Sequence, residues 1–177
     1  MKNMTRFERG GDPYRKLGVG RSALINKWFN NLGISSDEYT IDKDFNINVR
    51  GYLDLRNTDI TSLPDNLSIE ESLDLYGTDI TSLPDNLNVG KYLDLRGTNI
   101  TSLPNDLSIG RWLDLRKTKI TSLPDNLSVG GYLDLTGINI TSLPDDLSVG
   151  GKIWLSKDRK GKIYISEHLK KKVHYES

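Results

Sequence analysis

The chain has 177 residues, 36% of them hydrophobic, with 24 basic and 24 acidic side chains, a formal net charge of zero and no cysteine. This length suits one domain, and the missing thiols exclude a disulfide framework and any cysteine-based metal or redox centre. No run approaches the length of a membrane span and the opening MKNMTRFERGGDPYRK lacks an apolar signal segment, so a soluble, cytoplasmic protein is expected.

Residues 1–50 read as an N-terminal arm followed by a cap. Gly10-Gly11-Asp12-Pro13 and Gly18-Val19-Gly20 are turn chemistry; the second has no strand before it and no Lys-Ser/Thr pair after it, so it is not a phosphate loop. From Ser22 to Leu32, the residues Leu24, Ile25, Trp28, Phe29 and Leu32 recur at helical spacing on one face, with Ser22 as expected N-cap and Gly33-Ile34 as the stop. Tyr39–Ile41 and Phe45–Val49 read as two strands of a hairpin joined by Asp42-Lys43-Asp44.

At Gly51 a twenty-residue unit begins, GYLDLRNTDITSLPDNLSIE, and it returns at Glu71, Lys91, Arg111 and Gly131, so that residues 51–150 hold five copies. A degraded sixth copy, GKIWLS, opens the C-terminal segment 151–177. A fixed period with near-identical units marks a solenoid, in which each unit buries its apolar face only against its neighbours. In Tyr92-Leu93-Asp94-Leu95-Arg96 the period of two sends Leu93 and Leu95 inward and the other three outward, which predicts one strand per coil. Six inward columns are expected, represented by Leu93, Leu95, Ile100, Leu103, Leu107 and Ile109. Pro104 fixes its own φ and has no N–H to donate, so the return path is read as extended or 3₁₀-like. Beyond the repeats, Lys152–Leu155 reads as a last strand, residues 157–162 as a turn, Ile163–Ile165 as a further strand and Ser166–Leu169 as the start of a short basic helix.

The recurring pattern LxLxxTxIxxLPxxLxV, over roughly residues 45–156, resembles the leucine-rich repeat. Its length and LPxxL motif are similar to the short bacterial class found in secreted effectors and phage-encoded repeat proteins. The resemblance implies a right-handed leucine-rich-repeat solenoid, mainly β, with a parallel sheet on its concave face and an irregular convex side. The chain departs from that family where Thr58, Thr78, Thr98 and Thr118, then Ile138, stand at the usual Asn position. Thr brings a single hydroxyl donor, so Thr101-Ser102 and their equivalents are expected to close the turn. The opening RFERGGDPYRKLGVG also resembles the start of small tailed-phage proteins. Together these likenesses imply a phage-encoded factor acting on a bacterial host protein, with an immune component as one such target, in the host cytoplasm.

Stacked parallel strands lie about 4.8 Å apart, so outward residues form ladders. One ladder reads Tyr52, Ser72, Tyr92, Trp112, Tyr132, Lys152; the next Asp54, Asp74, Asp94, Asp114, Asp134, Trp154; the third Arg56, Tyr76, Arg96, Arg116, Thr136, Ser156. Carboxylates on neighbouring strands repel, and Arg96 beside Asp94 with Arg116 beside Asp114 partly neutralises the row. The row is either copied with the repeat or a site for a basic surface; a line of carboxylates does not wrap an ion, so no metal is expected. Tyr92, Trp112 and Tyr132 with Arg96 and Arg116 have the composition of an interface hot spot, although cross-strand stacking also accounts for the rings.

Charge separates along the chain. Residues 1–38 carry seven basic and four acidic side chains, 39–150 nine and 17, and 151–177 eight and three. The two basic ends, through Arg9, Arg15, Lys16 and Arg21 and through Lys157, Arg159 and Lys160, offer phosphate contacts for a nucleic acid or nucleotide. No Ser/His/Asp arrangement or carboxylate pair stands apart from the ladders, so neither an enzyme nor a cofactor is expected. The leading expectation is protein binding through the concave sheet by Tyr52, Tyr92, Trp112, Tyr132, Asp94, Asp114, Arg96, Arg116 and Trp154. Nucleic-acid binding at the ends and a structural virion or scaffold role are the alternatives.

Overall fold

A computed structural model describes residues 20–176 of the chain, which form a mainly β, leucine-rich-repeat-like solenoid. Its first element is helix α1 (Arg21–Asn31), which buries Leu24, Ile25, Trp28 and Phe29. The expected cap at Ser22 is not found. The cap falls two residues earlier, Gly20 holds the N-cap place without a side-chain bond, and the Gly20 carbonyl accepts from Ala23 N–H at 2.9 Å. The stop is as the sequence indicates. Gly33 is left-handed at φ 75°, and Gly33 and Ile34 N–H return to the carbonyls of Asn30 and Phe29, both at 3.1 Å. Strands β1 (Tyr39–Ile41) and β2 (Ile47–Val49) pair antiparallel, and the Phe29 ring stacks on Tyr39 at 4.0 Å. The second strand is shorter than expected because Phe45 turns left-handed at φ 61°.

Each full repeat carries two short strands, not one. Strands β3 (Leu53–Asp54), β5 (Leu73–Asp74), β7 (Tyr92–Asp94), β9 (Trp112–Asp114), β11 (Leu133–Asp134) and β13 (Ile153–Ser156) are those expected. Strands β4 (Leu67–Ile69), β6 (Asn88–Val89), β8 (Ser108–Ile109), β10 (Ser128–Val129) and β12 (Ser148–Val149) lie where an irregular return path was expected. The second set has a plain cause. Leu107-Ser108-Ile109 is itself an alternating run, buried at both ends and exposed in the middle. Two seven-stranded sheets result: sheet I in the order β1-β2-β4-β6-β8-β10-β12, and sheet II from β3 through β13 to a last strand, β14 (Val173–Glu176). Every pair apart from β1 with β2 is parallel and in register, with equivalent residues one repeat apart.

Between the two sheets the chain bends at Gly90, Gly110, Gly130 and Gly150, where successive coils come closest. A Cβ on Gly110 would lie 1.9 Å from the carbonyl oxygen of Gly90, inside any atomic contact. Gly110 N–H donates to Val89 O at 3.1 Å and Arg111 N–H to Lys91 O at 2.8 Å, so the bend is itself hydrogen-bonded from coil to coil. The six apolar columns fill the space between the sheets in one continuous core from Ile25 to Leu169.

The threonine departure closes the turn after sheet II by itself. Thr98 Oγ1 donates to Leu95 O at 2.8 Å, Thr98 N–H reaches the same carbonyl at 3.2 Å, and Thr58, Thr78 and Thr118 repeat the pattern. The expectation that Thr101-Ser102 does this work is therefore corrected: both are exposed, whereas Thr98 is buried. In the fifth coil Ile138 keeps only a longer backbone bond to Leu135 O at 3.4 Å.

The C-terminal cap differs in detail from its sequence reading. A 3₁₀ turn covers Lys157–Arg159, and Tyr164 makes only an isolated bridge with Ser142 where a strand was expected. Helix α2 is Glu167–Lys170, with Leu169 fully buried, and it leads into β14, which pairs parallel with β13. Lys172 donates its ammonium to the carbonyl of Val149 on the edge strand β12. No helix among the described residues is long and apolar enough to cross a membrane.

Candidate functional site

The outward side of sheet II carries the ladders in the order expected: Tyr92 pairs with Trp112, Asp114 with Asp94 and Asp134, and Asp134 with Trp154. The carboxylates have a structural task first. In each coil the Asp Oδ1 accepts the N–H two residues ahead, at 3.1 Å from Arg56, 3.0 Å from Tyr76, 2.9 Å from Arg96, 3.1 Å from Arg116 and 2.9 Å from Thr136. The Asp thus ends the strand and starts the turn.

Their mutual repulsion is offset by guanidinium groups that each serve two coils. Arg56 lies 2.6 Å from Asp54 and 3.5 Å from Asp74; Arg96 lies 2.5 Å from Asp94 and 3.5 Å from Asp114; Arg116 lies 2.6 Å from Asp114 and 3.3 Å from Asp134. The hydrogen bond from Arg56 holds the Asp54 carboxyl below its ordinary range, and the bonds to Asp94 and Asp114 raise the Arg96 and Arg116 guanidinium groups above theirs. Where Tyr76 replaces Arg, Asp74 takes a hydrogen bond from Tyr52 Oη at 3.0 Å, and the Arg96 guanidinium lies 5.2 Å from the Tyr76 ring centre.

Tyr92, Trp112 and Tyr132 form a continuous exposed strip. Their ring centres are 5.3 and 5.4 Å apart at 66° and 68°, edge to face, a geometry that also steadies the sheet. Trp112 is 51% exposed, the most of the three. Tyr52 stands apart from this strip because the intervening member of its column is the buried Ser72. Trp154 continues the Asp ladder, its ring centre 5.0 Å from that of His174 on β14 and 5.3 Å from the Lys152 ammonium. Between these groups lies a hollow of about 310 Å³ lined by Trp112, Tyr132, Trp154, Asp114, Arg116, Asp134 and Lys152. Asp134 and Lys152 lie outside the expected contact set; membership of the same columns is the signal that finds them.

Of the basic residues expected to contact phosphate, Arg9, Arg15 and Lys16 lie outside the described residues. The Arg21 guanidinium lies 5.1 Å from the Phe45 ring and 3.9 Å from Asp65. Arg159 donates to Asn139 at 2.7 Å and pairs with Asp158 at 3.1 Å, and the Lys160 ammonium faces the Tyr175 ring at 5.8 Å, while Lys157 is exposed. Among the described residues no group of three or more His, Asp or Glu is placed to hold a metal ion. No family model matches the chain, and neither curated proteins nor solved structures give a match. Fold and surface chemistry therefore carry the functional reading.

Proposed function

We propose that this protein binds another protein through the outward face of sheet II. The observation that carries this reading is the unbroken exposed strip Tyr92, Trp112, Tyr132, flanked by Arg96 and Arg116 and ending at an aromatic-walled hollow. Rigid aromatic groups beside arginine, held on paired strands, lose little conformational freedom on binding and are the commonest source of interface energy. The repeat and opening resemblances support a phage-encoded factor that modulates a bacterial host protein. Nucleic-acid binding has less support, since Arg159 and Lys160 are engaged in the cap and the acidic repeats lie between the basic ends.

The test is a pull-down from bacterial lysate, with and without nuclease, comparing the native chain with the combined variant Tyr92→Ala, Trp112→Ala, Tyr132→Ala at unchanged circular dichroism. The expected result is a nuclease-resistant partner that the variant loses. Equal recovery by both chains would remove the aromatic strip from function and leave it as sheet packing.

A further inference from the structure

We infer that the partner inserts an arginine side chain into the hollow at the last coils, between the Asp134 carboxylate and the Trp154 ring. This deepens the reading of sheet II as a protein-binding face and rests on it. The argument comes from the repeat's own pattern. Two residues after each ladder Asp stands the position that supplies a bridging guanidinium, and Arg56, Arg96 and Arg116 each use it to join their own Asp to the next one. Five Asp against three Arg leaves that place without a cation at positions 76 and 136. At 76 a tyrosine ring fills the space. At 136 the residue is threonine, too short to reach either neighbour, and its buried Oγ1 has no hydrogen-bond partner.

Asp134, which also accepts the Thr136 N–H, consequently has a cationic partner on one side only, Arg116 at 3.3 Å, and the next coil offers Trp154 in place of a carboxylate. A guanidinium entering here meets a carboxylate on one side and an indole on the other. The protein already contains that arrangement, since Arg96 bonds Asp94 while lying 5.2 Å from the Tyr76 ring centre. Arginine suits such a slot better than lysine, because its planar, weakly hydrated group stacks on a ring and donates two parallel bonds to a carboxylate. Lys152, exposed and with its ammonium 5.3 Å from the Trp154 ring centre, is a tethered cation at the same place and so a competitor for it.

The test uses the full chain labelled with nitrogen-15 and the blocked peptide acetyl-Gly-Arg-Gly-amide as probe, with its neutral citrulline counterpart as control. The readout is the indole N–H signals of Trp112 and Trp154, with the buried Trp28 as internal reference for folding. Expected are saturable shifts of Trp112 and Trp154 with Trp28 unmoved, binding roughly tenfold weaker for citrulline and for Asp134→Asn, tighter binding for Lys152→Gln, and none for Thr136→Arg, which fills the slot from within. Absence of saturation with the arginine peptide, or equal binding by citrulline or by Thr136→Arg, overturns the inference. A pull-down partner lost by the triple aromatic variant but retained by Asp134→Asn and Thr136→Arg would leave protein binding standing and remove the arginine slot alone.

Discussion

At the scale of single residues, the repeat letters that look interchangeable in sequence have distinct duties. In the five full repeats the turn after the sheet II strand requires a left-handed residue, met by Asn57, Gly77, Gly97 and Gly137 but in the fourth coil by Lys117 at φ 60°. A lysine pays a steric cost there that glycine avoids, so Lys117→Gly should raise stability by about 1 kcal/mol in urea unfolding. Gly110 is the opposite case. With a carbonyl 1.9 Å from the Cβ position, Gly110→Ala must push two coils apart and should cost about 3 kcal/mol, read in the same assay. Tyr52 gives a pH signature. Although the residue is 48% exposed, local desolvation and then the hydrogen bond to Asp74 push its phenol up from 10.0 to about 12. A raised phenol pKa favours the protonated folded form, so its contribution to stability is full below pH 10.0 and fades as the pH climbs through about 12. The stability gap between the native chain and Tyr52→Phe, followed by denaturant titration across that window, should narrow accordingly.

At the scale of elements, the two sheets were unequally readable. Sheet II was legible because Leu93-Asp94-Leu95 brings two buried leucines and a strong alternation, whereas the strands of sheet I shrink to pairs such as Ser108–Ile109, adjoining a proline segment that suggests no sheet at all. The hairpin and α1 were readable from apolar spacing and from Gly33. β14 was not, because Val-His-Tyr-Glu has no fully buried residue and its pairing depends on the unpaired edge that β13 happens to offer. The Asp ladder and its neutralisation by Arg96 and Arg116 were legible in sequence. The bond to the N–H two residues on is a matter of backbone geometry, and the span of each Arg over two coils emerges only from the stacking distance. β14 also has a testable duty: a chain shortened after Lys172 exposes the full edge of β13 and frees Trp154 from His174. It should associate in a concentration-dependent way, seen by light scattering, and melt at a lower temperature.

At the scale of the whole molecule, the caps act on opposite sheets. The hairpin strand β1 closes the first end of sheet I, and β14 is added at the far end of sheet II. The far edge of sheet I, β12, is met by a side chain, through Lys172 and the Val149 carbonyl. Much of the basic charge at the C-terminal end is thus engaged in finishing the solenoid, and the face we propose for binding falls on the middle and last coils. The coils between the caps share one register and pair only with their neighbours. Unequal crossing-over between the stretches that encode these near-identical units would therefore add or delete whole coils, in steps of twenty codons that keep the reading frame. Recombination alone could lengthen or shorten the proposed binding face of such a protein across generations, while both capped ends passed through unchanged.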